Sequence, residues 1–432
     1  MNAVDMETTG TTDSSVGHGA GDGPSVLLLP LPGAQGHTNP MLQFSRRLAY
    51  HGLRPTLVVT RYVLSTTSHP VAPFRMAVIS DGFDAGGMAL CPDYAEYFPR
   101  LEAVGSETLR ELLLSEARAG RPVRVLVYDP HLAWALRVAR AAGVATAAFF
   151  SQPCAVDIVY GELWAGRLAL PVTDGRALLA REALGVELGP EDMPPFAAVP
   201  ELQPVLTKTS IGQFDGLEDA DDVLLNSFRD IAPKEAEYME LTWRAKMIGP
   251  TMPSYFLDDN RLPSNKSYGF NLFSDGVSCM DWLDKHSMSS VVLVCYGTVS
   301  NYDATLLEEL GSGLCNSGKP FLRVVRSNEA HKLSEELKEK CENNGLIVAW
   351  FHQLQVLHTR LSLLVVFLLW ESHIGQTNPP SQKLHREVMD GDRKDEYKRN
   401  AAKWMQNAKD AMQEGGSSDK HIADFAAKYT SN

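Results

Sequence analysis

The sequence predicts an α/β protein of two domains in tandem, each built on a parallel sheet covered by helices on both faces. Three observations carry this expectation. Short, continuous apolar runs recur along the chain, as in Ser25 to Leu31 (SVLLLPL) and Val291 to Tyr296 (VVLVCY), and unbroken apolar runs mark strands buried on both faces. Amphipathic helical stretches separate them, and alternation of strand with helix is the pattern of a parallel sheet. The 432 residues accommodate two or three domains of roughly 150 residues each.

Taken in order, Met1 to Gly23 is rich in Gly, Ser, Thr and Asp and lacks an apolar core. A disordered tail is expected there, not a signal peptide. The first strand, Ser25 to Leu31, enters a turn-rich loop, Pro32 to Asn39, and then a helix from Pro40 to about His51. Proline suits a first helical turn, where its missing N–H is not needed. Strands are predicted at Pro55 to Thr60, Phe74 to Ile79, Val123 to Tyr128 and Ala145 to Phe149, with helices at Leu101 to Ala119 and Leu132 to Ala142. From Leu168 to Gly212 the periodicity fades into Pro-, Gly- and Ala-rich sequence. A strand at Asp222 to Asn226 and a helix at Lys234 to Lys246 complete a first domain over 24–247. The polar stretch 248–271, with Pro250, Pro253 and Pro263, reads as the interdomain linker. The second domain, 272–432, resumes with strands Val291 to Tyr296, Phe321 to Val325 and Leu346 to Trp350. Helices Ala304 to Asn316 and Ser334 to Asn343 alternate with them.

Composition narrows the partners. Lys and Arg total 40 against 53 Asp and Glu, a formal net charge of −13, which argues against a nucleic-acid partner held by counterion release. The apolar stretch Leu361 to Trp370 is about half the length that crosses a bilayer, so no membrane association is expected. Six scattered cysteines (Cys91, Cys154, Cys279, Cys295, Cys315, Cys341) include no CxxC pair. They read as reduced thiols rather than as a disulfide framework or zinc site, and a cytoplasmic location follows as an expectation.

Several motifs fall short. Gly33-Ala-Gln-Gly36 occupies a strand-to-helix turn, but the GxGxxG spacing is absent and the second strand ends at Thr60 with no acid for a ribose. This argues against a nicotinamide cofactor. Gly313 to Lys319 has GxxxxGK spacing, yet Pro320 stands where a P-loop needs Ser or Thr, and the motif follows a helix; it reads as a helix C-cap. Asp390-Gly391-Asp392 lies beside a charged, solvated helix and reads as surface, not as a metal site.

Gly36-His37-Thr38-Asn39-Pro40 places a histidine at the mouth of the first strand, just before a helix. Ligands of open parallel sheets bind outside the carboxyl ends of strands. Asp129, in Val127-Tyr128-Asp129-Pro130, ends another strand of the same domain. If the two strands are neighbours, Asp129 would orient the imidazole and stabilise its protonated form. The alternative is that His37 and Asp129 each cap a helix.

The runs LLLPLPGAQGHTNPMLQFSRRL, VYDPHLAWALRVA, DDVLLNSF, SCMDWLDKH, SVVLVCYGTVS and IVAW together resemble the plant UDP-dependent glycosyltransferases of family 1, over Ser25 to about Leu357 and again from Arg386 to Lys428. The resemblance implies a GT-B fold, two Rossmann-like domains facing across a cleft, with acceptor held by the first and UDP-sugar by the second. It implies inverting transfer of glucose from UDP-glucose to a hydroxyl or carboxyl of a small lipophilic acceptor such as a flavonoid, another phenolic or a hormone-like acid. UDP-glucose would be a co-substrate, with no metal or other cofactor, and the chain a monomer. His37 would deprotonate the acceptor and Asp129 would hold His37. Trp350 matches the tryptophan that stacks on uracil, and Gln353 fits the W-x-x-Q start. Phe351 would offer its backbone to the uracil edge, Thr298 matches a residue near the diphosphate, and Ser151 a hydroxyl near the sugar.

The resemblance breaks after Leu357. The expected His-Cys-Gly-Trp-Asn-Ser turn, which cradles the diphosphate at a helix N-terminus, is missing, as are a Glu for the ribose and an Asp-Gln pair for the sugar. The chain reads HTRLSLLVVFLLWESHIGQTNPPSQKL instead, so the second domain is expected to be truncated and aberrant over about 358–385. Out-of-frame translation of family codons would produce strings close to these. Two expectations therefore stand: an active glucosyltransferase, or an inactive remnant retaining acceptor binding at most.

Overall fold

The computed structural model describes residues 23–66, 75–91, 93–269, 279–287, 290–295, 303–360, 365–367 and 390–431. The chain forms two compact units, one comprising 1–272 with 407–432 and the other 273–406.

The first unit is built on a parallel sheet of β1 (Ser25–Leu29), β2 (Arg54–Thr60), β3 (Arg75–Ile79), β4 (Val123–Tyr128), β5 (Ala145–Phe150), β6 (Asp222–Leu225) and β7 (Ala245–Met247). Their order is β3-β2-β1-β4-β5-β6-β7. Its helices include α1 (Gln35–Tyr50), α2 (Tyr94–Arg118), α3 (Ala133–Ala141), α4 (Cys154–Trp164) and α5 (Pro233–Trp243). All five residues of β1 are buried, and its two faces feed different cores. Leu27 and Leu29 join one with Leu126, Leu109 and Trp134; Val26 and Leu28 join the other with Leu57, Val127 and Phe149. Side chains alternate across a strand, so a strand buried on both sides must be apolar throughout. The direction of strand order reverses between β1 and β4, which are directly paired. That reversal opens a crevice at the carboxyl ends of these two strands.

Two local expectations need correction. Helix α1 begins at Gln35, not at Pro40, because Gly33 takes a left-handed turn (φ 74°) that reverses the chain at once after β1. Pro40 therefore lies inside the helix, and His37 sits in its first turn. Helix α5 stops at Trp243 because Arg244 adopts a left-handed conformation, its N–H bonding the Met239 carbonyl. Ala245, expected in the helix, instead opens β7. Arginine carries no intrinsic preference for that conformation, so nothing in the sequence marks the stop.

The second unit carries β8 (Val292–Cys295), β9 (Phe321–Val324), β10 (Gly345–Val348) and β11 (Val365–Phe367), all parallel in the order β10-β9-β8-β11. Helices α6 (Ala304–Asn316), α7 (Glu335–Glu342), α8 (Gln353–Arg360) and α9 (Lys394–Met412) belong to this stretch, α9 running on past the boundary between the units. Strand β11 was not expected. It lies within the segment expected to be aberrant and pairs Val366 with Val294; β-branched and aromatic residues suit a strand whatever its origin. The remainder of that segment, 361–364 and 368–389, lies outside the described residues, as does most of the tail 1–23.

The domain boundaries also differ from expectation. The stretch 248–271, expected as a linker, groups with the first unit and contributes Ile248 and Leu257 to its core. The carboxyl-terminal helix α10 (Ser417–Thr430), expected in the second domain, returns to the first. Ile422, Phe425, Ala426 and Tyr429 form an i, i+3, i+4, i+7 stripe that joins Phe44 and Phe149 in one core. The Tyr429 hydroxyl donates to Asp222 at 2.8 Å. Arg261 donates to Asp419 at 2.8 Å and to Asp259, and Asp259 also accepts from buried Arg47 at 3.0 Å. The apolar stripe and this ion network explain why the helix belongs to the first unit. Among the described residues no helix is long and apolar enough to cross a membrane.

Candidate functional site

The site forms at the β1–β4 crevice of the first unit. The Asp129 N–H donates to the Leu29 carbonyl at 2.9 Å, which fixes the residue after β4 beside the end of β1. Asp129 then caps the short helical turn Pro130–Leu132, its Oδ1 accepting from the His131 N–H at 3.0 Å. Its other oxygen, Oδ2, lies 2.6 Å from Nδ1 of His37. Ser151, just past β5, brings its hydroxyl to 3.2 Å from the same Nδ1. The structure thus brings together three of the sequence-predicted residues, His37, Asp129 and Ser151, from three adjacent strands.

Electrostatics assigns the protons. Asp129 is almost wholly buried, and burial alone would raise its pKa. The His37 charge and hydrogen bonds from His131 and His37 outweigh this and hold it far below the ordinary carboxylate range. An ionised carboxylate only accepts hydrogen bonds, so Nδ1 of His37 carries the proton. In the neutral ring Nε2 is then the basic nitrogen. Burial pulls the His37 pKa down, but the charge of Asp129 and its hydrogen bond pull harder, and the net shift is upward. Its side chain remains 21% exposed, enough to meet an outside proton. Asp157, on α4, behaves oppositely: burial, reinforced by the charge of Asp129, pushes its pKa well up.

The sequence analysis missed His131. Its Nδ1 lies 2.8 Å from Asp129 Oδ1, so the carboxylate is held from both ends. The available signal was the D-P-H spacing, in which a capping aspartate meets the backbone N–H two residues on. The ligand atoms of His37, Asp129 and His131 lie within 4.8 Å of one another, close enough to hold a cation. Contacts of 2.6 and 2.8 Å are hydrogen-bond lengths, which places protons between these groups.

A small, largely apolar pocket is lined among others by Leu29, Pro32, Val58, Val63 and Ile79, with Gln35 and Thr38 of α1.

The remaining predicted residues belong to the second unit. Trp350, Phe351 and Gln353 form the turn from β10 into α8, where the His352 carbonyl accepts from the N–H groups of Gln355 and Val356 at 3.1 Å. Phe351 is buried in the core with Val348 and Val356, and Trp350 packs half-buried against it. Gln353 hydrogen-bonds the Cys295 thiol at the end of β8. Thr298 lies outside the described residues.

No protein-family model matches the chain. Individual proteins do. The chain is 69% identical to the UDP-glucosyltransferase UGT13248 of Hordeum vulgare subsp. vulgare, over 99% of this chain and 100% of that protein. That alignment runs over 474 positions against 432 residues here, so it contains positions with no counterpart in this chain. Among solved structures, Os79 of Oryza sativa in complex with UDP matches with a TM-score of 0.89 and 60% identity, over 94% of this chain and 100% of that one. Os79 with U2F and a trichothecene matches with a TM-score of 0.86 and 59% identity, over the same shares. The two parallel-sheet units are those of the GT-B fold. With this sequence identity extending along nearly the whole chain, the protein belongs to the plant UDP-glycosyltransferases of family 1.

Proposed function

We propose that the protein transfers glucose from UDP-glucose to a small lipophilic acceptor by an inverting, single-displacement mechanism. The observation that carries this reading is the 2.6 Å contact between His37 Nδ1 and Asp129 Oδ2 at the carboxyl ends of β1 and β4. With Nδ1 committed to Asp129, Nε2 accepts the proton of an acceptor hydroxyl as that oxygen attacks the anomeric carbon. The C1–O bond to UDP breaks as the new glycosidic bond forms, with inversion. UDP leaves as an anion, and Asp129 stabilises the imidazolium that results. Trp350 stacks on uracil and the Phe351 backbone meets its edge; Thr298 stands near the diphosphate and Ser151 offers a hydroxyl near the sugar, with Gln353 completing the W-x-x-Q start of the donor site. The chemistry uses no metal in this proposal, and the protein acts as a cytoplasmic monomer.

The relatives guide the choice of acceptors. Os79 has been solved with a trichothecene, so a trichothecene joins a flavonoid, a simple phenol and a hormone-like acid as the substrates to test. Incubating the full chain with UDP-glucose and each acceptor, and measuring glucoside by mass spectrometry, tests the reading. A glucoside formed by the native chain and absent with His37→Gln supports it.

A second reading, an acceptor-binding chain without transfer, is favoured by the loss of the diphosphate-cradling motif after Leu357. Phosphates need oriented N–H donors at a helix N-terminus, and removing several such contacts weakens binding more than about a hundredfold. Calorimetry with UDP separates the two. Micromolar affinity with transfer supports the enzyme; acceptor binding without UDP binding supports the remnant.

A further inference from the structure

Asp129 serves two imidazoles. Oδ2 accepts from His37, while Oδ1 accepts from both the backbone N–H and ring Nδ1 of His131. The two rings meet edge-on, with centroids 5.3 Å apart and planes at 80°. The His131 side chain is only 10% exposed. We propose that His131 is a positioning residue: it locks the Asp129 carboxylate in the rotamer that faces His37 and withdraws part of its negative charge. It thereby sets the proton affinity of His37. This rests on the reading of His37 as the base.

The geometry carries the argument in two steps. A capping aspartate retains rotational freedom about its terminal bond, and one backbone N–H at 3.0 Å does little to restrict it. A second donor on the same oxygen, at 2.8 Å, pins the plane, so Oδ2 points at His37. The second step is electrostatic. Each donor on Oδ1 draws charge from the carboxylate and lowers the potential it exerts on Nδ1 of His37. Removing the His131 donor leaves a more basic carboxylate, which holds the His37 proton more firmly. The sign is the same whether the His131 ring is neutral or cationic, since either form donates.

No other described group near the pair supplies this effect. Burial pushes up the pKa of Asp157, from α4, and of the Tyr128 hydroxyl, at the end of β4, so neither shares the proton of the dyad in the way His131 does. Ser151, following β5, contacts His37 and not the carboxylate.

The experiment titrates His37 directly in the full chain. Histidine is isotope-labelled at Cε1 and followed by NMR across pH, with the His37 resonance identified by its loss in His37→Gln. His131→Phe keeps a ring and removes the donor; His131→Asn returns an N–H to the position of Nδ1. In His131→Phe the midpoint of His37 is expected to rise by roughly half to one pH unit, a threefold to tenfold gain in proton affinity. In His131→Asn it should return toward the native value. An unchanged or lowered midpoint in His131→Phe, with the other histidine resonances undisturbed, overturns the proposal. Should phenylalanine disturb the packing, His131→Leu gives the same contrast. A native chain that transfers no glucose removes the assignment of His37 as base, yet the titration still decides what His131 does to it.

Discussion

Nδ1 of His37 and Oδ2 of Asp129 meet at 2.6 Å although 92 residues separate them in sequence. Neither side chain reaches far to make the contact. The parallel pairing of β1 with β4 and the bond from the Asp129 N–H to the Leu29 carbonyl bring their backbones to one place. The dyad is therefore a property of the sheet order, and its chemistry can be tested by changing single atoms.

Replacing His37 by Gln removes the base and keeps a polar side chain of similar reach. Glucosyl transfer should fall by about 10²–10⁴-fold, the usual contribution of a general base, with little change in thermal stability. Unchanged turnover would reduce His37 to a helix-end residue.

The pH dependence follows from the upward shift of His37. The base works only when neutral, so kcat/KM should climb with pH and reach half its plateau above the ordinary histidine value of 6.5. A pH–rate profile whose acid limb lies below that value contradicts the proton assignment.

Asp129→Asn preserves shape but removes the charge that holds the His37 pKa up. Burial then dominates, the His37 midpoint drops, and the imidazolium formed during transfer loses its partner. Turnover should decrease by at least about 10²-fold. A pH–rate profile and His37 titration of the variant check both parts.

Asp259 accepts from Arg47 and Arg261 in a buried cluster that anchors the last helix. Burial would raise its pKa, but Arg261 and Arg47 lower it. A depressed pKa contributes stability above the ordinary carboxylate range and loses it as pH falls through the folded value, so acid should weaken this anchor. Asp259→Ala leaves buried Arg47 without its carboxylate while Arg261 keeps Asp419, at a cost of about 3–5 kcal/mol. Urea unfolding at neutral pH measures it; a loss below about 1 kcal/mol would show that the cluster is incidental.

Trp350→Ala tests the donor side. If the indole stacks on uracil, the Kd for UDP should rise by roughly tenfold, from a stacking contribution of about 1–3 kcal/mol. Calorimetry reads it directly, and an unaltered Kd returns Trp350 to the role of a core aromatic closing β10.

The sequence made the strands legible wherever both faces are buried. β4 was located residue for residue, because Val123 to Tyr128 has no polar interruption beyond Arg124. It also made the dyad legible, since His37 and Asp129 each follow such a strand and a parallel sheet aligns strand ends. What escaped depended on contacts that only the fold creates. His131 acquires its partner through the capping turn of Asp129. Helix α5 ends at an arginine in a glycine-like conformation, and α10 looks like any amphipathic helix until Phe44 and Phe149 supply its seat. Strand β11 is apolar by composition, but its place beside β8 was hidden by a segment that fits no expected pattern.

The return of α10 makes the first unit a discontinuous one: residues 273–406 are an insertion threaded through it. Synthesis on the ribosome therefore reaches the sheet of the first unit early and finishes its core last, since the seat around Phe44 stays open until Phe425 emerges. A stop codon anywhere in the insertion removes more than one unit, for it uncaps the apolar face of the other. Shortening the insertion is gentler, because closing a loop depends only logarithmically on its length and both anchor points survive.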